Sequence, residues 1–427
     1  MKRLTRCRAL RGAALLVCAV LLCVAANIAA FAIDTKDMRD HVWQGCLMLG
    51  EQQSQPHMVG GFLSSQLDNY TGVLILKTAG YVGQESLLEK AMGGLRIDMP
   101  GESGQSAWEA FCSYEFGELA PGGSLRSYAR YWHGYTLPLR LMLCVLDVAN
   151  TQMLLYFAQL VLMLYVLRMM TARGVGRLIP GFFLAYFLMM PFSMSICLQY
   201  VPVSMLMLAA CALILAADER IDRAVSLPVF FALLGLLTNY FDLLTFPLAT
   251  LGFALVTELA LMLRRGGSAK QLFVTTVLCG VSWALGYSLM WALKWALNAC
   301  VFGPGALANV FAQIGLRTSD NAGSISRLAV LAENLNIMLA KKSYLLIIGA
   351  SVLAALAPAA KALLSGRGLR LDLRALNLLL PAAAVCLWII VTANHAHDHT
   401  YFTYRSLTVA VFAGFSCVSC LLVPKEE

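Results

Sequence analysis

Charge is what this sequence has least of. Only 13% of its 427 residues are Asp, Glu, Lys or Arg, against 59% apolar, and that balance excludes a water-soluble globular protein. There is no Walker-type loop and no glycine fingerprint, so the usual cradles for a nucleotide are missing. There is no sequence repeat and no likeness between the two halves, which sets the chain apart from many transporters. Histidine is scarce, with six in all, yet three of them fall within five residues. Cysteine is not scarce at 13, but most of it lies in apolar runs, where it behaves as a small apolar residue. Cys46 and Cys112 share a polar segment and can pair in an oxidising compartment.

What is present is hydrocarbon in membrane-sized lengths. Apolar runs lie near 13–33, 152–171, 178–193, 200–217, 226–240, 243–263, 271–295, 343–360, 375–393 and 406–423, the third and fifth being short. They predict an all-α, polytopic helical membrane protein with about ten transmembrane helices. Segment 137–149 is apolar but too brief to cross and reads as an interfacial helix. Every second loop is basic, from Lys2, Arg3, Arg6, Arg8 and Arg11 to Lys361, Arg367, Arg370 and Arg374. By the positive-inside rule both termini are expected in the cytoplasm of a multi-pass cell-membrane protein. The net charge of +8 then reflects contact with anionic membrane lipids, not nucleic acid. The basic, apolar N-terminus resembles a secretory signal, but an uncleaved anchor is the simpler reading.

Polar sequence is unevenly spread. Residues 1–33 are a basic N-terminus and first span, and 34–136 form a large extracytoplasmic loop. Residues 137–295 hold the interfacial helix and spans two to seven. A second outer loop covers 296–342, and 343–427 carry the last three spans with a short outer segment at 394–405. Inside the first loop, 67–92 reads as helix capped by Asp68 or Asn69 and broken around Gly80 and Gly83. In the second, 304–316 and 325–340 read as amphipathic helices. All the sizeable polar mass is on one side, so the working face is expected to be the outer one.

Several constellations there could carry chemistry. His395, His397 and His399 alternate, so an extended segment would point all three to one side, with Arg405 following. Such a set suits metal, an anionic ligand or a hydrogen-bonded interfacial cluster; Arg405 is the natural clamp for a phosphate. Arg130, Trp132 and His133 lie in an aromatic stretch that is either an interfacial belt or a shelf for sugars and headgroups. Asp34, Asp37 and Asp68 follow the first span, where a carboxylate is either a general base or mere solvation of a helix exit. Asp242 lies in a tight turn between two spans and is costly there unless paired or functional. Lys294, between Trp291 and Trp295, can snorkel to the surface, pair with Asp242 or hold a lipid phosphate. Gln313, Arg317 and Arg327 extend the same basic field.

Together these features resemble the GT-C class of membrane glycosyltransferases, which place a large loop after the first span and work on the extracytoplasmic face. More narrowly, the chain is similar to a group of uncharacterised bacterial cell-envelope membrane proteins. The similarity rests on Leu67–Thr71, Tyr128–Tyr135, Tyr240–Thr245, Gly286 with Tyr287, Lys294 with Trp295, and Asn394, His395, His399 and Phe402–Arg405. That group commonly carries Asp and Ser where this chain has Gly72 and Ala396.

The resemblance implies a polyprenyl-phosphate-linked sugar donor and a cell-envelope glycan or lipid acceptor. Asp34, Asp37 or Asp68 would deprotonate the acceptor. Arg405, His395, His399 and Lys294 would hold the phosphate leaving group, a divalent cation taking part of that role. Two other classes stay open: a transporter or flippase for a lipid-linked or anionic solute, in which Asp242 and Lys294 are the working charges, and a non-catalytic glycolipid-binding envelope protein.

Overall fold

The computed structural model describes residues 2–33, 36–101, 104–113, 122–321 and 323–424. The chain is built almost wholly of helices. The first six are α1 (Lys2–Ala32), α2 (Lys36–Gly50), α3 (Asn69–Gly80), α4 (Leu87–Gly93), α5 (Ala107–Cys112) and α6 (Thr136–Leu143). Strands β1 (Leu95–Asp98) and β2 (Ser124–Ser127), on either side of α5, form an antiparallel pair. Then come α7 (Val148–Ala172), α8 (Ile179–Leu188), α9 (Pro191–Ile196), α10 (Val201–Ala224), α11 (Leu227–Phe241), α12 (Leu248–Arg264) and α13 (Ala269–Phe302). The remainder is α14 (Gly305–Thr318), α15 (Arg327–Leu339), α16 (Lys342–Leu364), α17 (Leu380–Val391), α18 (Ala393–Asp398), α19 (Thr400–Thr403) and α20 (Thr408–Leu421). Strands β3 (Leu369–Leu371) and β4 (Leu422–Pro424) pair antiparallel beside the end of α20.

Among the described residues, seven helices are long and apolar enough to cross a membrane. This is the make-up of a helical membrane protein. The apolar runs near 178–193, 226–240 and 243–263 give shorter pieces. The first of them breaks at Met190, with φ at 57°, because Pro191 cannot continue the hydrogen-bond ladder of α8. Helix α13 is different, since 34 residues rise about 50 Å and exceed the ~30 Å hydrocarbon layer by about 20 Å. Its far end holds the first polar segment in place: Lys294 Nζ donates to Met92 O at 2.7 Å, and Asn298 donates to Ala129 O.

Two features make the packing specific. At the α11–α13 crossing the backbones nearly touch, and a Cβ added at Gly235 would lie 2.0 Å from Trp283 O. One added at Gly286 would lie 2.0 Å from Ala232 O, so each helix supplies a glycine where the other's carbonyl arrives. Deeper in, Phe182, Phe253 and Phe412 from α8, α12 and α20 join edge-to-face and stacked, with centroids 5.2–5.6 Å apart.

The helix expected over 67–92 exists as α3 and α4, parted near Gly80 and Gly83, and the two amphipathic helices exist as α14 and α15. The histidine segment differs from expectation, being helical and not extended. Cys46 and Cys112 are buried as free thiols.

Candidate functional site

A cavity of about 310 Å³ opens where the first polar segment meets the helix ends, and four distant parts of the chain supply its chemistry. Asp68 comes from the start of α3. Its Oδ1 accepts from Thr71 N at 2.9 Å, capping the helix, which is why an acidic residue sits at this turn. Oδ2 is more crowded. It accepts from Thr71 Oγ1 at 2.9 Å, from Gln199 Nε2 at 2.8 Å and from Tyr401 Oη at 3.2 Å. Three donors hold one oxygen, so the carboxylate is fixed in orientation while Oδ1 keeps an unused lone pair.

Across the cavity, helical geometry places His395 and His399 one turn apart with ring centroids 4.8 Å apart. His397 points elsewhere and meets Glu333 at 3.2 Å. The tautomer of His395 follows from its partners. Leu244 O lies 2.8 Å from Nε2 and can only accept, while the Arg317 guanidinium, 2.9 Å from Nδ1, can only donate. His395 is therefore neutral with its proton on Nε2. Burial and the nearby Arg317 charge both hold its pKa well below 6.5, and the same two causes lower that of His399. Leu244 adopts φ of 66°, an uncommon conformation for a leucine, in the turn that presents this carbonyl.

Cations complete the lining. Arg317 stands in the last turn of α14, its guanidinium 6.0 Å from the Tyr131 ring. Arg130 stacks 4.7 Å from the Tyr128 ring and donates to Asn309 at 3.2 Å. Arg96, on β1, grips Asp98 through two hydrogen bonds of 3.1 and 3.2 Å. Tyr131 Oη is buried and makes no hydrogen bond, an idle polar atom in the cavity wall. Three guanidiniums against one lining carboxylate make the cavity a place for an anion.

The other residues singled out from the sequence lie elsewhere. Arg405 is fully buried behind the cavity and donates to the carbonyls of Met189, Tyr401 and Ser64 at 2.7–3.1 Å. Trp132 donates to Met290 O at 2.8 Å within the core. His133 bonds Tyr128 O and Tyr135 Oη, each at 2.8 Å, and burial lowers its pKa to about 3. Lys294 holds the Met92 carbonyl, not Asp242. Asp242 accepts from Thr245 N at 2.9 Å and Thr245 Oγ1 at 2.6 Å, folding the turn behind the wall; burial raises it to about 6. Asp34 lies outside the described residues, as does the side chain of Asp37.

Gln55, Arg96, Gln199 and Tyr401 line the cavity without having been singled out. Tyr401 falls within the outer segment 394–405, and Gln199 is a polar residue in a very short loop between apolar runs. Among the described residues no three His, Cys, Asp or Glu side chains converge as a metal site. No family model, no curated protein and no solved structure matches the chain.

Proposed function

We propose that the protein is a membrane glycosyltransferase of GT-C type that moves a sugar from a polyprenyl-phosphate donor to an acceptor hydroxyl of the cell envelope. The observation that carries the reading is the convergence of Asp68, His395, His399, Arg130 and Arg317 on one cavity from segments scattered over the chain. In this arrangement Arg317 and Arg130 hold the donor phosphate. His395 contributes indirectly, keeping the Arg317 fork in place by accepting its hydrogen bond at Nδ1. The acceptor hydroxyl approaches the free lone pair of Asp68 Oδ1. Its oxygen bonds to C1 of the sugar, and the C1–O bond to phosphate breaks. The electron pair stays on the phosphate oxygen under the guanidiniums, and the hydroxyl proton passes to Asp68. Arg405, Trp132, His133, Lys294 and Asp242 hold the walls. The basic loops support a cell-membrane topology of about ten spans, with this cavity outside and both termini in the cytoplasm.

The test is mass spectrometry of envelope glycans and polyprenyl-linked sugars in a deletion strain, complemented with wild type or Asp68→Asn. Transfer predicts loss of one sugar with its donor accumulating, restored by wild type; Asp68→Asn should lower the rate about 10²- to 10⁴-fold with donor binding kept. Unchanged glycans and donor pools in the deletion strain would sink the enzyme reading. A binding protein without transfer is the second reading, favoured by the presence of one carboxylate in the lining, and in that case Asp68→Asn complements fully.

A further inference from the structure

Four arginines from three separate loops meet at a second cavity, at the far end of α12 from the first. It holds about 200 Å³ and is lined by Arg177, Arg264, Arg370 and Arg374 with a single carboxylate, Asp372. That carboxylate is already engaged. Arg374 grips it through Nε at 2.8 Å and Nη2 at 2.6 Å, and spends Nη1 on Gly267 O at 3.0 Å. Arg177, Arg264 and Arg370 form no ion pair among the described residues. Arg264 donates one nitrogen to Arg173 O. The hydrogen bond of Arg177 to Ser419 O is stretched to 3.5 Å. Arg370 is exposed on β3, opposite Val423 of β4. Like charges gathered in one cavity repel one another, so an anion that accepts from several of them at once would stabilise the cluster.

The remaining wall is hydrocarbon. Val175, Leu178, Leu263 and Val423 line the same cavity. Its position is equally specific, because it sits where the apolar helices α7, α12 and α20 end and α8 begins. Helix α12 starts just after Leu243 of the first cavity and ends at Arg264 of the second, so its 17 residues put about 25 Å between them. A ligand here must present phosphate to the guanidiniums and hydrocarbon to the valines and leucines.

We propose that this cavity binds the phosphodiester of an anionic phospholipid headgroup, with Arg177, Arg264 and Arg370 on the phosphate oxygens and the acyl chains leaving along the apolar wall. The site does not depend on the glycosyltransferase reading. It turns the general attraction of basic loops for anionic lipid into one defined lipid position between helices.

The experiment uses the full chain in detergent, with thermal midpoints recorded against increasing short-chain phosphatidylglycerol, phosphatidylcholine or inorganic phosphate. Phosphatidylglycerol is expected to raise the midpoint saturably, and phosphatidylcholine and inorganic phosphate at equal concentration to leave it unchanged. Arg177→Ala with Arg370→Ala should require about ten-fold more phosphatidylglycerol for the same shift. Arg177→Lys with Arg370→Lys should fall between, keeping charge but losing the fork, and it serves as the readout should the alanine pair not fold. Arg220→Ala removes an exposed charge from the last turns of α10 and should behave as wild type. Equal protection by inorganic phosphate would assign the cavity to a free anion and overturn the lipid proposal. An Arg220→Ala loss matching the paired variant would overturn it too, showing diffuse surface attraction.

Discussion

At Arg405 a positive charge is buried with no carboxylate paired to it among the described residues, satisfied by three backbone carbonyls and by the Tyr200 ring 4.5 Å away. Those carbonyls belong to the Ser64 turn, to Met189 where α8 breaks, and to Tyr401 at the cavity rim, so one side chain ties the first polar segment to the helix bundle. Arg405→Met keeps much of the volume but takes the guanidinium donor from the buried Met189 and Tyr401 carbonyls, Ser64 O keeping its bond from Tyr404 Oη. It should cost about 3 kcal/mol or more, read as a lowered thermal midpoint in detergent, with Arg405→Lys recovering part. If Arg405→Met melts as wild type, the tie is not structural. An arginine at the mouth of an apolar segment was legible in the sequence, but its direction was not. The turn from Tyr404 to Leu407 aims it inward, and a phosphate clamp and a carbonyl clamp look the same in the chain. Arg317, expected to bind substrate as part of a basic field, stands in the last turn of α14 and lines the cavity. Gly72 also reads differently in three dimensions. A Cβ there would lie 3.1 Å from Leu49, on the side of α2, and residue 72 does not line the cavity. The acidic partner missing at that position would not have faced Asp68's cavity in this fold.

Helices long enough to show a period were readable, and short ones were not. Helices α14 and α15 fall close to the segments expected from their amphipathic pattern. The histidine segment forms six- and four-residue helices, too short for periodicity to separate from an alternating strand, so the grouping of His395 with His399 emerges only from the fold. The α11–α13 crossing belongs to this scale as well. Gly235→Val or Gly286→Val would drive a side chain into the opposing carbonyl and should destabilise by about 2 kcal/mol or more, seen as reduced yield of monodisperse protein and a lower midpoint. The turn after α11 supplies a pH test. Burial lifts Asp242 from 3.8 to about 6 against the opposing pull of its Thr245 hydrogen bonds, so the folded protein binds this proton more tightly than the unfolded chain does. The contribution is fully present below pH 3.8 and is lost as pH rises through about 6, a total of roughly 3 kcal/mol. Asp242→Asn cannot titrate. The stability of wild type relative to Asp242→Asn should therefore fall between pH 4 and pH 6.5, and a constant difference across that range would rule out a buried, titrating Asp242.

On the scale of the whole molecule, two arginine-lined cavities stand about 25 Å apart at opposite ends of α12, a distance close to the thickness of a bilayer's hydrocarbon layer. The first is walled by ordered polar sequence around α2–α5 and the β1–β2 pair. The second is closed by short basic segments and the β3–β4 pair. This asymmetry fits the distribution of charge along the sequence, where a large polar segment falls on one side and short Arg-rich loops on the other. It makes a prediction about orientation that needs no substrate. Arg126 is exposed on β2 near the first cavity, and Arg220 is exposed in the last turns of α10, at the opposite end. With exposed Cys18 and Cys300 replaced by serine, Arg126→Cys should react with a membrane-impermeant maleimide in intact cells. Arg220→Cys should react only after the membrane is opened. Reaction of Arg220→Cys in intact cells, with Arg126→Cys protected, would turn the molecule over and put the Asp68 cavity in the cytoplasm. An outer-face transfer from a polyprenyl donor could not then take place there, while the lipid cavity would face the opposite leaflet without losing its chemistry.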